Sequence, residues 1–200
     1  GGLDWRGEDH VPVDLGRFFN NDGISWSGNR ADGGFNVWGI TYPAEELPAG
    51  GEIVLVKGIP FIFPPKEDGR LNNILFEGQR IPVPPGRFER LNLLGASENR
   101  CDDDLVLEYG GDSLETVVLG LSDWWEGETP RFGEEVAFRT ARAHYPSHVQ
   151  EGIRLTMWLQ RVRVDPNRRL EALRLPDNMT MHIFALTLTR ARATAGGEAA

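Results

Sequence analysis

Cysteine is nearly absent from this 200-residue chain: Cys101 stands alone, so no intrachain disulfide is available. No grouping of cysteine with histidine has zinc-site spacing, which excludes a metal staple. The hydrophobic core has to hold the fold unaided. Long apolar runs are missing too. Nothing approaches the roughly 18 consecutive apolar residues of a membrane-spanning helix, and the N-terminus has neither the basic flank nor the apolar stretch of a signal peptide. A signal already removed is compatible with this, and extracellular and cytoplasmic locations stay open. Lysine occurs only at positions 57 and 66, and 30 acidic residues against 21 basic ones give a net charge of −9. Such a surface repels phosphate backbones and anionic lipid headgroups, so neither nucleic acid nor a membrane is expected as a partner.

Glycine (24) and proline (13) break the chain into pieces too short for long helices. The pieces are rich in Val, Ile, Leu, Phe and Thr, an all-β pattern. Strands are predicted over 53–56, 60–63, 73–77, 80–83, 90–94, 104–109, 114–119, 135–140, 153–164, 170–175 and 181–189. That number of strands in one domain implies two packed sheets. Leu105, Leu107 and Tyr109 share one face of their strand, and Ile153, Leu155, Met157 and Leu159 share one of theirs, so both sets should point inward. Val162 and Val164 have the opposite parity to Leu159, which predicts a bulge near Gln160 and Arg161. Residues 182–188 are apolar on both parities, as a central strand covered on both faces requires. Helix signals are confined to one turn at Pro43–Leu47, stopped by Pro48. The organisation is one domain over 1–192 and a disordered tail, 193–200, with no internal repeat or linker.

The least ordinary stretch is 18–36, from Phe18-Phe19-Asn20-Asn21-Asp22-Gly23 to Asp32-Gly33-Gly34-Phe35-Asn36, dense in oxygen ligands and turn formers. Asn20, Asp22 and Asp32 are candidate ligands for a structural calcium ion, although the spacing fails the EF-hand pattern. The same residue types hydrogen-bond sugar hydroxyls, and they also build ordinary turns. Indole rings stack on the C–H faces of sugars. Trp26, Trp38, Trp124 and Trp125 are therefore candidate contacts with a glycan, together with Asp123 and with Tyr145 in the polar loop 144–148. At most one of Trp124 and Trp125 should face a ligand, because adjacent strand residues point opposite ways. His144 and His148 have the four-residue spacing of a helical metal pair, but Pro146 between them argues for a loop. Gly-x-Ser-x-Gly is absent, and so is a phosphate-cradling loop. A carboxylate pair for glycoside hydrolysis would meet in space and leaves no sequence trace.

Three stretches taken together resemble a known kind of domain. They are 19–35 followed by Thr41-Tyr42-Pro43-Ala44-Glu45-Glu46-Leu47-Pro48; Gly78-Gln79-Arg80-Ile81 with 90–96; and Leu173-Arg174-Leu175-Pro176 leading into 183–188. They resemble accessory domains of bacterial glycoside hydrolases, of the α-mannosidase- and α-galactosidase-associated, galactose-binding-like type. The resemblance implies a two-sheet antiparallel jelly-roll β-sandwich with at most one or two short helical turns. It further implies a non-catalytic carbohydrate-binding or enzyme-associated module, binding an oligosaccharide, with calcium near Asn20, Asp22 and Asp32 and ligand contacts around Asp123 and Trp124. Two other readings stand beside it. One is a carbohydrate-active enzyme using an Asp/Glu pair in a cleft; the other is a structural domain that forms homo-oligomers.

Overall fold

The computed structural model describes residues 9–125 and 129–192. The tail expected to be disordered, 193–200, lies outside them. The strands in chain order are β1 (His10–Val13), β2 (Ile24–Ser25), β3 (Tyr42–Pro43), β4 (Ile53–Val56), β5 (Ile59–Ile62), β6 (Ile74–Glu77), β7 (Arg80–Gly86) and β8 (Phe88–Ser97). They continue as β9 (Cys101–Tyr109), β10 (Ser113–Leu121), β11 (Glu135–Arg139), β12 (Arg142–His144), β13 (Val149–Glu151), β14 (Thr156–Arg163), β15 (Leu170–Arg174) and β16 (Asp177–Arg190). Every strand predicted from the sequence is present. The added ones, β1, β2, β3, β12 and β13, are only two to four residues long, and Pro12 and Pro43 disguise two of them. Among the described residues two single turns of 3-10 helix occur, at Gly16–Phe18 and at Ala44–Glu46, the second following Pro43 as its sequence requires.

The larger sheet has six strands in the order β1-β16-β8-β14-β11, with β6 also paired to β16; the smaller has the order β10-β9-β15-β7. From β6 onward the chain crosses between sheets: β6 lies in the larger, β7 in the smaller, β8 in the larger, β9 and β10 in the smaller, then β14, β15 and β16 alternate again. This produces the facing orders β6-β16-β8-β14 and β7-β15-β9-β10, the eight-stranded jelly roll. The pairings within these two sheets are antiparallel.

One core fills the space between the sheets, with Leu91, Leu93, Leu105, Leu107, Val162, Val164, Leu173 and Ile183 among its members. A second core lies on the other face of the larger sheet, where Leu94, Ala96, Leu155, Met157, Leu159, Phe184 and Ala185 pack against Phe35, Tyr42, Phe61, Phe63 and Trp124. The cover over this second core comes from residues 20–63 and the short hairpins. In the β4–β5 hairpin, Lys57 (φ 51°) and Gly58 (φ 79°) make the two-residue turn with both φ positive that matches strand twist. Thr187 Oγ1 in β16 donates to the carbonyl of Pro60, tying that hairpin to the sheet.

The two cores correct one expectation. β14 has no bulge at Gln160–Arg161; it pairs with β8 in unbroken register from Trp158↔Gly95 to Arg163↔Arg90. Parity changes there because Met157 and Leu159 serve the outer core, whereas Val162 and Val164 serve the core between the sheets. Register shifts occur instead in β11, between Val136 and Phe138, and in β16, between Ile183 and Ala185. The β16 shift faces Gly95, where an added Cβ would stand 2.5 Å from the His182 carbonyl oxygen and 3.2 Å from Ile183 Cγ2. Gly95→Ala is therefore expected to cost about 1–3 kcal/mol, by overpacking against backbone that cannot swing away. Urea unfolding at neutral pH measures it, and an unchanged midpoint would contradict this packing.

Candidate functional site

Four connections meet at one end of the outer core. In the β2–β3 connection, Asn36 Oδ1 accepts the backbone N–H groups of Trp38 (3.2 Å) and Ile40 (3.1 Å), a side-chain-closed turn. This turn leaves Trp38 74% exposed. Gly39 (φ 70°) completes it, and its missing Cβ would lie 2.9 Å from Pro146 Cγ, so glycine lets the turn press against the β12–β13 hairpin. That hairpin presents Tyr145, whose ring stacks on His148 with centroids 4.7 Å apart. The β8–β9 turn contributes Glu98 and Asn99, the latter left-handed (φ 60°).

The connection after β10 contributes Asp123, Trp124 and Trp125. Trp124 N–H donates to the Ser97 carbonyl (3.0 Å), and the Trp158 indole N–H donates to the Asp123 carbonyl (3.0 Å). Asp123 Oδ1 accepts the backbone N–H of Trp125 (3.0 Å). The four connections enclose a cleft of about 550 Å³, within the range of small-molecule sites. Its walls are the rings of Trp38, Trp125 and Tyr145, with Glu98 and Asp123 as its charged groups. Burial, and secondarily the charge of Asp123, raises the pKa of Glu98 from its ordinary value. The same two causes lift the Tyr42 phenol, whose hydroxyl donates to the Thr156 carbonyl (2.7 Å) beneath the cleft.

The family described as AziU2-like beta-sandwich domain matches residues 8–192. The chain belongs to this family. Comparison with curated proteins gives no match.

In this AziU2-like domain the cleft brings together five of the six residues proposed from sequence for a ligand: Trp38, Asp123, Trp124, Trp125 and Tyr145. Trp124 is only 2% exposed and packs on Phe35 with centroids 4.1 Å apart, so it supports the floor and offers no stacking surface. Trp125, half-buried, is the member of the pair that remains accessible. Trp26 is not at the cleft. Its indole N–H donates to the Lys66 carbonyl (2.6 Å), and the Lys66 ammonium lies 5.1 Å from its ring, so it clamps 64–67 over the outer core. Glu98 and Asn99 escaped sequence reading because turn residues of these types occur all along the chain, whereas Asn36 closes the 18–36 stretch that the sequence marks out.

The candidate calcium ligands are engaged in closing loops. Asn20 bonds β6 through the backbone of Leu75 in both directions (3.0 and 2.7 Å) and through Glu77 (3.2 Å). Asp22 Oδ1 accepts from Asn72 and from the Ile24 N–H (3.3 Å), and Asp32 Oδ2 accepts the Gly69 N–H (2.7 Å). Among the described residues, no three His, Cys, Asp or Glu side chains are grouped to hold a metal ion. His144 and His148 sit apart in environment: His148 is exposed, while His144 is buried with Nδ1 3.1 Å from Ser25 Oγ and 3.0 Å from the Ser25 carbonyl. Glu45 lies 3.9 Å from its Nε2, but Ser25 and His144 are both 1% exposed, so no substrate reaches this Ser–His–Glu arrangement.

His182 and Asp22 are joined through Asn73 and Asn72: His182 Nδ1 meets Asn73 Oδ1 (2.8 Å), Asn73 donates to Asn72 (3.0 Å), and Asn72 donates to Asp22. Burial pushes His182 down to about 3. Burial first, with Asp32 and Asp68 adding charge repulsion, raises Asp22 to about 6 against the hydrogen bonds from Asn72 and Ile24. His182 binds its proton more readily when unfolded, so its contribution is lost as pH falls from about 6.5 toward 3. Asp22 acts oppositely, binding its proton more tightly when folded, so its contribution is gained as pH falls from about 6 toward 3.8. Asp22→Asn, which keeps the acceptor oxygen, should lose stability more steeply than the parent between pH 6 and 4. Urea titrations at unit pH steps test this; a constant difference between the two proteins would refute it.

Proposed function

We propose that this β-sandwich is a non-catalytic carbohydrate-binding module whose cleft takes a mono- or oligosaccharide. The observation that carries the reading is the cleft itself: three accessible aromatic side chains, Trp38, Trp125 and Tyr145, beside the amides of Asn36 and Asn99 and the carboxylates of Glu98 and Asp123. Rings supply apolar stacking for sugar C–H faces, and the carboxylates accept hydroxyl hydrogen bonds, which orient the ring. The site is formed by loops at one end of the outer core, with Trp124 shared between the floor of the cleft and that core. The sequence resemblance to accessory domains of glycoside hydrolases names the enzymes such a module would serve.

The first test is a thermal-shift screen against a broad glycan panel, with calcium and again with chelator. A sugar at about a hundred times its Kd adds about 2.7 kcal/mol of stability. A calcium shift without any sugar-specific shift would support only a structural ion. With a sugar in hand, Trp38→Ala should leave folding stability within about 0.5 kcal/mol of the parent, since the ring is already exposed. Its affinity should fall by about tenfold, the equivalent of about 1.4 kcal/mol. Trp124→Ala is expected instead to cost about 3–5 kcal/mol of folding stability through the core it fills. Undiminished affinity in folded Trp38→Ala and Trp125→Ala proteins would remove the cleft from consideration.

A second reading has one observation in its favour. Glu98, its pKa raised chiefly by burial, lines the same cleft as Asp123, and a pair of carboxyl groups is what glycosidic acid catalysis uses. Turnover of chromogenic glycosides that disappears in Glu98→Gln would replace the non-catalytic reading.

A further inference from the structure

We propose that the chain associates with a second copy of itself, edge to edge through β10, joining the two smaller sheets into one continuous sheet. This stands apart from the carbohydrate-binding reading. β10 ends the smaller sheet, and its ladder to β9 runs unbroken from Ser113↔Tyr109 to Leu121↔Cys101. A terminal strand presents a row of unpaired N–H and C=O groups that another strand can take up, and natural sheets blunt such edges with proline, lysine, bulges or brevity. The other edges of this sandwich are blunted. β7 carries Pro82, Pro84 and Pro85, and β1 is four residues long with Pro12 inside it. β6 is also four residues long, and β11, five residues long, is broken by its register shift. β10 is nine residues long and contains neither proline nor lysine.

The side chains of β10 suit its own pairing. Its outward face reads Leu114, Thr116, Val118, with Leu114 64% and Val118 63% exposed, and Val106 of β9 lies opposite Thr116 on the same face. Apolar, threonine, apolar reads alike in both directions. A two-fold axis at Thr116 therefore sets Leu114 against Val118 of the second copy and Thr116 against its own counterpart, cross-strand pairs that favour association. An axis at Glu115 would oppose two carboxylates. An axis at Val117 would set Leu114 against Gly120 of the second copy, where Phe132 already fills the space of a Cβ. The one charge on the strand, Glu115, shares the inward parity of Val117 and is met within the chain by the Arg168 guanidinium (2.7 Å) and the Tyr109 hydroxyl (2.8 Å). Pairing over 113–119 makes a strip about 24 Å long and about 10 Å deep, well under the roughly 1,200 Å² of permanent complexes, so the dimer is weak and reversible. Two copies of net charge −9 repel at long range, so salt strengthens this dimer, whereas salt would weaken a complex with a basic partner.

Sedimentation equilibrium of the full chain from about 10 μM to about 1 mM tests the association. Mass should rise toward that of two chains, and the apparent Kd should fall about threefold or more between about 50 mM and about 500 mM salt. Leu114→Lys and Val118→Lys, checked for folding by circular dichroism and melting, should stay monomeric. Cross-linking reads the register, because directly opposed residues of antiparallel strands have Cα atoms about 4.5–5.5 Å apart, within disulfide reach. In a Cys101→Ser background, Thr116→Cys should link into dimers about tenfold faster on oxidation than Val37→Cys, an exposed position on the β2–β3 connection. A monomer at every concentration would overturn the inference. A dimer that persists in both folded lysine variants, a dimer that salt dissolves, or equal linking at positions 116 and 37 would overturn it as well.

Discussion

A sheet whose central strands are apolar on both faces must be covered twice, and this constraint organises the whole molecule. β8, β14 and β16 each place side chains in both cores. The smaller sheet covers one face with its own alternating strands. Over the other face only two-stranded pieces, β2–β3, β4–β5 and β12–β13, occur among the described residues, so the chain covers it with residues 20–63 and the β12–β13 hairpin, much of it loop. Coverage by loops brings a difficulty that coverage by a sheet avoids. Loop backbone has no ladder to satisfy its N–H and C=O groups, and these groups are costly when buried without partners.

Buried polar side chains meet that demand. Asn72, Asn73, Ser25, Thr41 and His144 are all essentially inaccessible, and each bonds backbone or a neighbour across the cover. This explains a chain rich in Asn and Asp at its most apolar layer. It also explains neutral buried histidines: His182 stacks on Phe35 at 4.0 Å, and His144 is likewise held below its ordinary pKa, chiefly by burial. The polar network fixes where each loop leaves the core. Its exits place Trp38, Trp125, Tyr145, Glu98 and Asp123 around one hollow.

Much of the fold was legible locally. Runs of β-branched and aromatic residues bounded by glycine and proline declare strands because those signals depend only on neighbours in the chain. The one-turn helix at Ala44–Glu46 follows from Pro43 and Pro48 in the same way. Half of the cleft was legible too, since exposed tryptophan beside Asp and Asn is a chemical pattern before it is a geometric one. Its other half was not. Glu98 and Asn99 acquire meaning only from lying beside residues 36–40 and 123–125, a proximity made in part by the bridge between Ser97 and Asp123 and not by spacing.

The sequence by itself determined the all-β class, the longer strands, the lack of any intrachain disulfide and the doubly buried character of residues 182–188, because each is a property of composition or of a local pattern. Tertiary structure decided the rest. It assigned Leu159 and Val162 to different cores without a bulge, made Trp124 a floor and Trp125 a wall, set Trp26 apart as a clamp, and gathered two carboxylates beside three rings. The physical reason is that burial and electrostatic environment belong to whatever packs against a residue. In a jelly roll that partner is supplied by strands and loops distant in the chain.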